Sequence, residues 1–303
     1  MKTTNILISG ASSFIGEKLI EILLNDSSNR IFALVRPKSA SNSILDKFKG
    51  RISIIELDMI DYSNLSDVLD SNIDVLYHLS WSGTRSINRL DEKLQYSNYI
   101  NSINLLNEAV KLGVKKIISV GSQAEYGICF DKVDELHKTL PNTAYGKYKL
   151  KLLEYIQREL GNKTQYIWFR LFSSYGVGDF KNTLIMYCID NMIKNCDVNL
   201  SSCKQQWNYI NVADVVKVLS LAIDYGFDSG VYNLSSNDTR KLKFFVEEIK
   251  KITHSKSTIN YSNDSDKNIV NLDPDNTKLR KQINFEFKQF SDGIIELLQH
   301  LQK

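Results

Sequence analysis

Several features that would point to other classes are missing from this chain. No two of Cys129, Cys188, Cys196 and Cys203 have CxxC spacing. Neither a zinc ribbon nor a dithiol motif is therefore expected, and four free thiols in a reducing, cytoplasmic setting are. The histidines at 78, 137, 254 and 300 are scattered, so no metal site is expected. There is no run of five or more basic residues, and the formal net charge is only +3. Nothing therefore calls for nucleic acid or a membrane surface as partner. No apolar stretch reaches the roughly 18 residues of a membrane-spanning helix. The opening MKTTNILISGASSFIG reads as a first strand and its turn rather than a signal peptide. Internal repeats and low-complexity tracts are absent, and residues 262–266 (SNDSD) form a polar loop.

What remains is an ordinary folded composition, 43% hydrophobic and 24% charged over 303 residues. That length suggests about two domains or one large α/β domain, with room for a sizeable core. Short apolar runs at 5–9, 31–35, 52–57, 75–79, 117–120 and 166–172 read as strands. Between them, 14–24, 65–69, 98–111 and 145–160 carry apolar residues at helical spacing. Strands alternating with helices predict an α/β fold, a Rossmann-type doubly wound parallel sheet. After about residue 175 the rhythm loosens, with helices at 182–194, 212–222, 244–252 and 294–301. The expected division is a dinucleotide-binding domain over 1–175, to which later segments such as 205–235 return. A smaller substrate-binding lobe takes most of 176–303 and lies over the carboxyl ends of the strands.

The first strand runs into Gly10, Ala11, Ser12, Ser13, Phe14, Ile15 and Gly16, followed by a helix. Pyrophosphate binding needs a tight turn, a close backbone approach and a helix N-terminus facing the anion. Gly10 and Gly16 suit the first two demands because they lack a Cβ, and Ser13 takes the middle position. An ordinary βα turn would look much the same. After strand two, where an acidic residue would hold the adenosine ribose, stand Arg36 and Lys38. An acid would repel a 2′-phosphate and these cations attract one. NADP(H) is therefore favoured, with NAD(H) left open and solvated surface cations the plainer explanation. Asp58 could hydrogen-bond the adenine amino group, beside Met59.

Tyr145 and Lys149 lie four apart on one helix and share a face. A phenol near its ordinary pKa of about 10 is a poor catalyst at neutral pH, and a neighbouring ammonium favours phenolate. Ser122, at the end of strand five, can orient a reacting carbonyl or alcohol. His78 reads as packing near the cofactor rather than as a base. Arg170, inside YIWFRLF, reads as a buried structural cation with a partner.

GASSFIG, DVLYHLS (74–80), NYINSINLLNEA (98–109), VGSQAEYG (120–127), YGKYK (145–149), FRLFSSYGVGD (169–179), WNYINVADVV (207–216) and GVYNLSS (230–236) follow one another along most of the chain. In that order they resemble an extended short-chain dehydrogenase/reductase of the sugar-nucleotide epimerase/dehydratase/reductase family. The resemblance implies an NAD- or NADP-binding Rossmann domain and a lobe that binds a nucleoside-diphosphate sugar. It also implies hydride chemistry at sugar C4 with Tyr145 as acid/base, Lys149 on the nicotinamide ribose, and Leu79, Ser80 and Phe172 among the cofactor contacts. In the family's dehydratases an Asp-Glu pair follows the strand-five hydroxyl. Here the pair is Gln123 and Ala124, which cannot move a proton as carboxylates do, and Glu125 would point elsewhere.

A 4-ketoreductase and a 4-epimerase remain, and Arg36 and Lys38 favour the reductase. A cofactor sensor or scaffold without turnover is a further alternative, against which the presence of Tyr145 and Lys149 argues. In the second lobe Ser173 replaces the usual Asn, and Trp207 replaces an Arg that would pair with the diphosphate. Trp207 either stacks on a base or sugar or packs in the core, and Lys204, Lys267 or Arg280 could supply the cation. The family commonly dimerises through the helices bearing 98–109 and Tyr145, so a homodimer is expected. The stripes at Ile100, Ile103, Leu152, Leu153 and Ile156 suit either that interface or the core.

Overall fold

A computed structural model describes residues 3–224, 226–262 and 270–302. Most of the expected loop at 262–266, and Lys267, lie outside these residues. The strands are β1 (Thr4–Ser9), β2 (Asn29–Val35), β3 (Ser53–Glu56), β4 (Val75–His78), β5 (Lys116–Ser122), β6 (Gln165–Leu171), β7 (Ser173–Tyr175), β8 (Val198–Leu200), β9 (Gln206–Asn211), β10 (Gly230–Leu234), β11 (Thr239–Lys241) and β12 (Ile259–Tyr261). The helices are α1 (Phe14–Leu23), α2 (Leu65–Val68), α3 (Glu92–Lys111), α4 (Ala144–Tyr155), α5 (Leu184–Ile193), α6 (Val212–Leu221), α7 (Leu242–Ile252), α8 (Thr277–Arg280) and α9 (Phe290–Leu301).

A seven-stranded sheet runs β10-β6-β5-β4-β1-β2-β3. The pairings from β5 through β4, β1 and β2 to β3 are parallel. The continuous apolar run of β4, buried at every position, is what a parallel strand covered on both faces requires. The expected Rossmann-type doubly wound fold is therefore present.

The chain divides into two compact units. The first comprises Met1–Gly127, Lys138–Arg170 and Val216–Tyr232; the second comprises Ile128–His137, Leu171–Val215 and Asn233–Lys303. The core of the first gathers Leu7, Leu76, Ile117 and Trp168 from the sheet with Leu105, Leu106, Leu152, Leu153 and Ile156 from the helices. Fully burying such a side chain stabilises the fold by about 1.5–3 kcal/mol. The stripe at Leu152, Leu153 and Ile156 thus belongs to the core. The long helix expected at 145–160 ends as α4 at Tyr155 and continues as a π turn, Ile156–Leu160.

Segment Val216–Tyr232 is tied into the first unit by two buried polar groups. The Tyr77 hydroxyl donates to Leu219 O at 2.7 Å. The Lys116 ammonium donates to the carbonyls of Ala222 and Ile223, both at 3.1 Å, and to that of Asp224. A cation just past a helix C-terminus meets the negative end of its dipole. Burial pushes Lys116 down to about 8.

The second unit has its own core around Tyr175, Tyr209, Phe245 and Phe290, with ring centroids of Phe245 and Phe290 4.8 Å apart. It holds the three-stranded sheet β11-β9-β7 and the pair β12-β8. Cys129, Cys188 and Cys203 are buried and Cys196 is exposed, all as free thiols.

Candidate active site

At the C-terminal end of β1, Gly10 has φ +71°. A Cβ there would lie 2.8 Å from Ser80 N, and one on Gly16 would lie 2.3 Å from Gly10 O. Both positions therefore exclude larger residues, the first also by its backbone conformation. Ser13 N donates to Gly10 O at 3.0 Å, and the Ser13 hydroxyl caps α1 by accepting from Gly16 N at 3.1 Å. Phe14 and Ile15 form the first turn of α1. Ser9 Oγ knits β1 to β4, accepting from Leu79 N, Ser80 N and Ser80 Oγ at 3.3, 3.4 and 3.1 Å.

The turn after β2 is laced to this loop by hydroxyls. Ser12 Oγ lies 3.4 Å from Ser41 Oγ, which lies 2.9 Å from Ser39 Oγ. Arg36 Nη2 donates to Ser39 Oγ at 3.5 Å, and Asn42 Nδ2 donates to Arg36 O at 2.8 Å. Arg36 and Lys38 are exposed, and Lys38 has φ +53°. Ser39 and Ser41 were not singled out in sequence, although a serine-rich run directly after Arg36 and Lys38 was the available signal. The Asp58 carboxylate accepts from Ile60 N at 3.3 Å and so caps the short turn Met59–Asn64. Met59 Sδ lies 3.9 Å from Ser82 Oγ. These residues all belong to the first unit.

The hydride-transfer candidates come together around the start of α4. Thr143 caps the helix by accepting from Gly146 N at 3.1 Å. A Cβ on Gly146 would lie 2.3 Å from Ala124 O, so glycine here lets the first turn rest directly on the segment after β5. Ser122 Oγ accepts from Ala124 N at 3.1 Å and hydrogen-bonds the Tyr145 side chain. Burial raises the Tyr145 phenol above its ordinary value, against the Ser122 hydrogen bond and the Arg89 cation, while Glu125 adds to the rise. The phenol therefore holds its proton at neutral pH.

Lys149 departs from the sequence expectation. Its ammonium donates to Val120 O at 2.9 Å and sits 4.0 Å from the centroid of the Trp81 ring. Burial pushes it down to about 7, opposed by Glu125. The cation acting on Tyr145 is Arg89, whose guanidinium carbon lies 4.9 Å from the phenol ring centroid. Trp81 packs edge-on to Tyr145 with centroids 6.3 Å apart.

Gln123 is half-buried and Ala124 buried. Glu125 does point elsewhere. Fully buried, it accepts from Ser122 N at 2.8 Å, Trp168 Nε1 at 3.0 Å and Arg170 Nε at 2.8 Å. Arg170 thus has its structural partner. His78 Nε2 lies 3.0 Å from Ser102 Oγ, whose proton goes to Asn98 O at 2.7 Å. That leaves Nε2 as the protonated ring nitrogen. Burial takes His78 down to about 3, so it is neutral and unsuited to act as a base near pH 7.

Trp81 and Arg89 are the site residues that periodicity did not find. They lie on the segment after β4, which α3 holds through polar side chains. Trp81 Nε1 donates to Gln95 Oε1 at 2.7 Å, and Gln95 Nε2 donates to Gly83 O and Asn88 O, both at 2.9 Å. Asn98 Nδ2 donates to Ser82 O at 2.8 Å. Gln95 and Asn98, three apart and buried on one helix face, were the usable signal. They also explain why α3 begins at Glu92, capped by Asp91, earlier than the apolar stripe at 98–111.

Phe172, Ser173 and Trp207 belong to the second unit. Phe172 is buried and its N donates to Leu234 O at 3.0 Å. Ser173 pairs with Tyr209 in the β7–β9 register. Trp207 packs against the second core, 6.2 Å from the Tyr209 ring, which is its core-packing reading. It stands opposite Arg240 on β11, and Arg240 pairs with Asp238 at 3.1 Å and with Glu248. Among the described residues no group of three or more His, Cys, Asp or Glu could hold a metal, and no helix is long and apolar enough to cross a membrane.

This site on this sheet defines a Rossmann-type oxidoreductase of the short-chain dehydrogenase/reductase class. The profile of the NAD dependent epimerase/dehydratase family matches residues 6–235. The chain belongs to that family and is an enzyme of its class. It is 28% identical over 258 residues to CDP-abequose synthase of Salmonella muenchen, covering 84% of this chain and 83% of that one. It is 23% identical over 272 residues to dTDP-4-dehydro-6-deoxyglucose reductase of Escherichia coli, covering 86% and 85%. A crystal structure of UDP-glucose 4-epimerase from Thermotoga maritima superposes with a TM-score of 0.85 at 20% identity, covering 99% of each chain. At that identity the likeness is one of fold.

Proposed function

We propose that the enzyme is a cytoplasmic NADPH-dependent 4-ketoreductase acting on a nucleoside-diphosphate 4-keto-6-deoxy sugar. The observation that carries this reading is Tyr145, a buried phenol that keeps its proton beside the Ser122 hydroxyl, followed by Gln123 and Ala124 where elimination would need acids. A protonated phenol suits donation to a newly formed alkoxide rather than abstraction from an alcohol. The relative named for reduction of a dTDP-4-dehydro-6-deoxy sugar supports the same direction.

The turn at Gly10 and Gly16, in which a Cβ would collide with backbone, fits a pyrophosphate at the N-terminus of α1. The bound dinucleotide supplies the hydride. Ser122 orients the C4 carbonyl, Tyr145 delivers the proton to its oxygen, and Lys149 holds the nicotinamide ribose. Asp58 and Met59 line the adenine, and Leu79 and Ser80 complete the first unit's cofactor contacts. Gln123 and Ala124 contact the sugar within the first unit. A homodimer through α3 and α4 belongs to the same reading. Incubation of the enzyme and NADPH with a panel of nucleotide-activated 4-keto-6-deoxy sugars tests it. Stoichiometric NADPH oxidation with at least one member is expected, and none with any member would reject the reading.

Arg36 and Lys38, with the hydroxyls of Ser12, Ser39 and Ser41 beside them, suit a 2′-phosphate. NADPH should bind more tightly than NADH in fluorescence titration. Arg36→Ala should erase most of the difference, about 1.5–3 kcal/mol for one charge-assisted contact. Equal affinities in the wild type would reject this preference.

An NAD-dependent nucleotide-sugar 4-epimerase is the second reading, supported by the match to the NAD dependent epimerase/dehydratase family. It predicts interconversion of C4 epimers without net consumption of cofactor.

A further inference from the structure

Arg89 stands out among the charged residues near Tyr145. It sits on the short 3-10 turn Ser86–Leu90, and its Nε is buried with no hydrogen-bond partner among the described residues. Its guanidinium instead lies over the Tyr145 ring, 4.9 Å from the centroid, within the roughly 6 Å at which a cation and an aromatic face attract. The turn is held in place by Gln95 Nε2, which donates to Asn88 O at 2.9 Å.

The other charged or titratable groups around Tyr145 do not offer an equivalent. Glu125 opposes a phenolate and is consumed by Arg170, Trp168 and Ser122 N. His78 is neutral at working pH. The Lys149 ammonium is turned to Val120 O and the Trp81 face, and burial pushes it down to about 7. An arginine is a permanent cation. Ionising a phenol spreads negative charge over its ring, so a guanidinium on that face stabilises the anion more than the neutral form.

We propose that Arg89 is the positioning residue for Tyr145, its guanidinium stabilising the phenolate left when the phenol proton has moved to the substrate. This rests on the reading of Tyr145 as proton donor. In that step the phenol O–H bond breaks and an O–H bond forms at the C4 alkoxide. The negative charge passes from alkoxide to phenolate, and the only electron pair delivered to carbon is the hydride from the nicotinamide.

The test is a titration of the full-length chain labelled with [13Cζ]tyrosine and saturated with NADP+, the Tyr145 resonance being assigned by its loss in Tyr145→Phe. The wild-type resonance should move with pH within the range in which the chain stays folded. Arg89→Gln and Arg89→Met should each raise its midpoint by about one pH unit, a tenfold loss of phenolate, and Arg89→Lys should recover part of the shift. Should Arg89→Gln fail to fold, Arg89→Met carries the comparison. A wild-type resonance that does not move before the chain unfolds, or variants within about 0.3 unit of wild type, would overturn the proposal. The titration needs no turnover. An active Tyr145→Phe enzyme would sink the proton-donor reading without altering what the titration says about Arg89.

Discussion

Tyr145→Phe should lower kcat by about a hundred- to ten-thousandfold, the usual contribution of a positioned general acid, while leaving NADPH affinity close to wild type. The phenol is buried within the first unit and its hydroxyl bonds Ser122. Phenylalanine keeps the ring and its contacts with Trp81 and Arg89 and removes only the donor. Steady-state kinetics and cofactor titration on the same preparation check both halves. Retained turnover would remove Tyr145 from the chemistry. Lost cofactor binding would mean that the variant had damaged the site rather than its proton transfer.

The second large effect is on stability. Glu125→Ala should destabilise the first unit by about 3–5 kcal/mol, the cost of breaking one side of a buried ion pair. Glu125 and Arg170 are 0% and 4% exposed at their side chains and 2.8 Å apart, so removing the carboxylate takes the charge partner from a buried guanidinium, which keeps Tyr126 beside it. It also orphans Ser122 N and Trp168 Nε1. Glu125→Gln keeps an acceptor and should cost less. Urea unfolding followed by far-UV circular dichroism measures both, and a change below about 1 kcal/mol for Glu125→Ala would contradict the network's importance. Because Ser122 N loses its acceptor in Glu125→Ala, the Gln variant should also be the more active of the two.

Much of the fold was legible because parallel strands covered on both faces leave unbroken apolar runs and their helices leave stripes. The Gly10 to Gly16 turn was legible because only glycine fits two backbone approaches under 3 Å. Ser122, Tyr145 and Lys149 were found through spacing and position, and the structure assembles them within one unit. Periodicity could not show the segment carrying Trp81 and Arg89. It is an irregular stretch held by Gln95 and Asn98, polar residues that interrupt the apolar stripe of α3 and hide its first turns. The surroundings of Tyr145 were only partly legible for a related reason. Four-residue spacing brings Lys149 onto the same helix face but does not say where a long flexible ammonium goes. Val120 O and the Trp81 ring claim it, and burial outweighs the Arg89 cation at the phenol.

The most direct measurement is isotope tracing. The enzyme is incubated with NADPH deuterated at the transferable C4 position and a nucleotide-activated 4-keto-6-deoxy sugar, and the product is read by NMR and mass spectrometry. One deuterium at sugar C4, matched by one equivalent of NADP+, is the expected result. A product without deuterium at C4, or epimers interconverting with the NADPH unspent, would contradict reduction as the reaction.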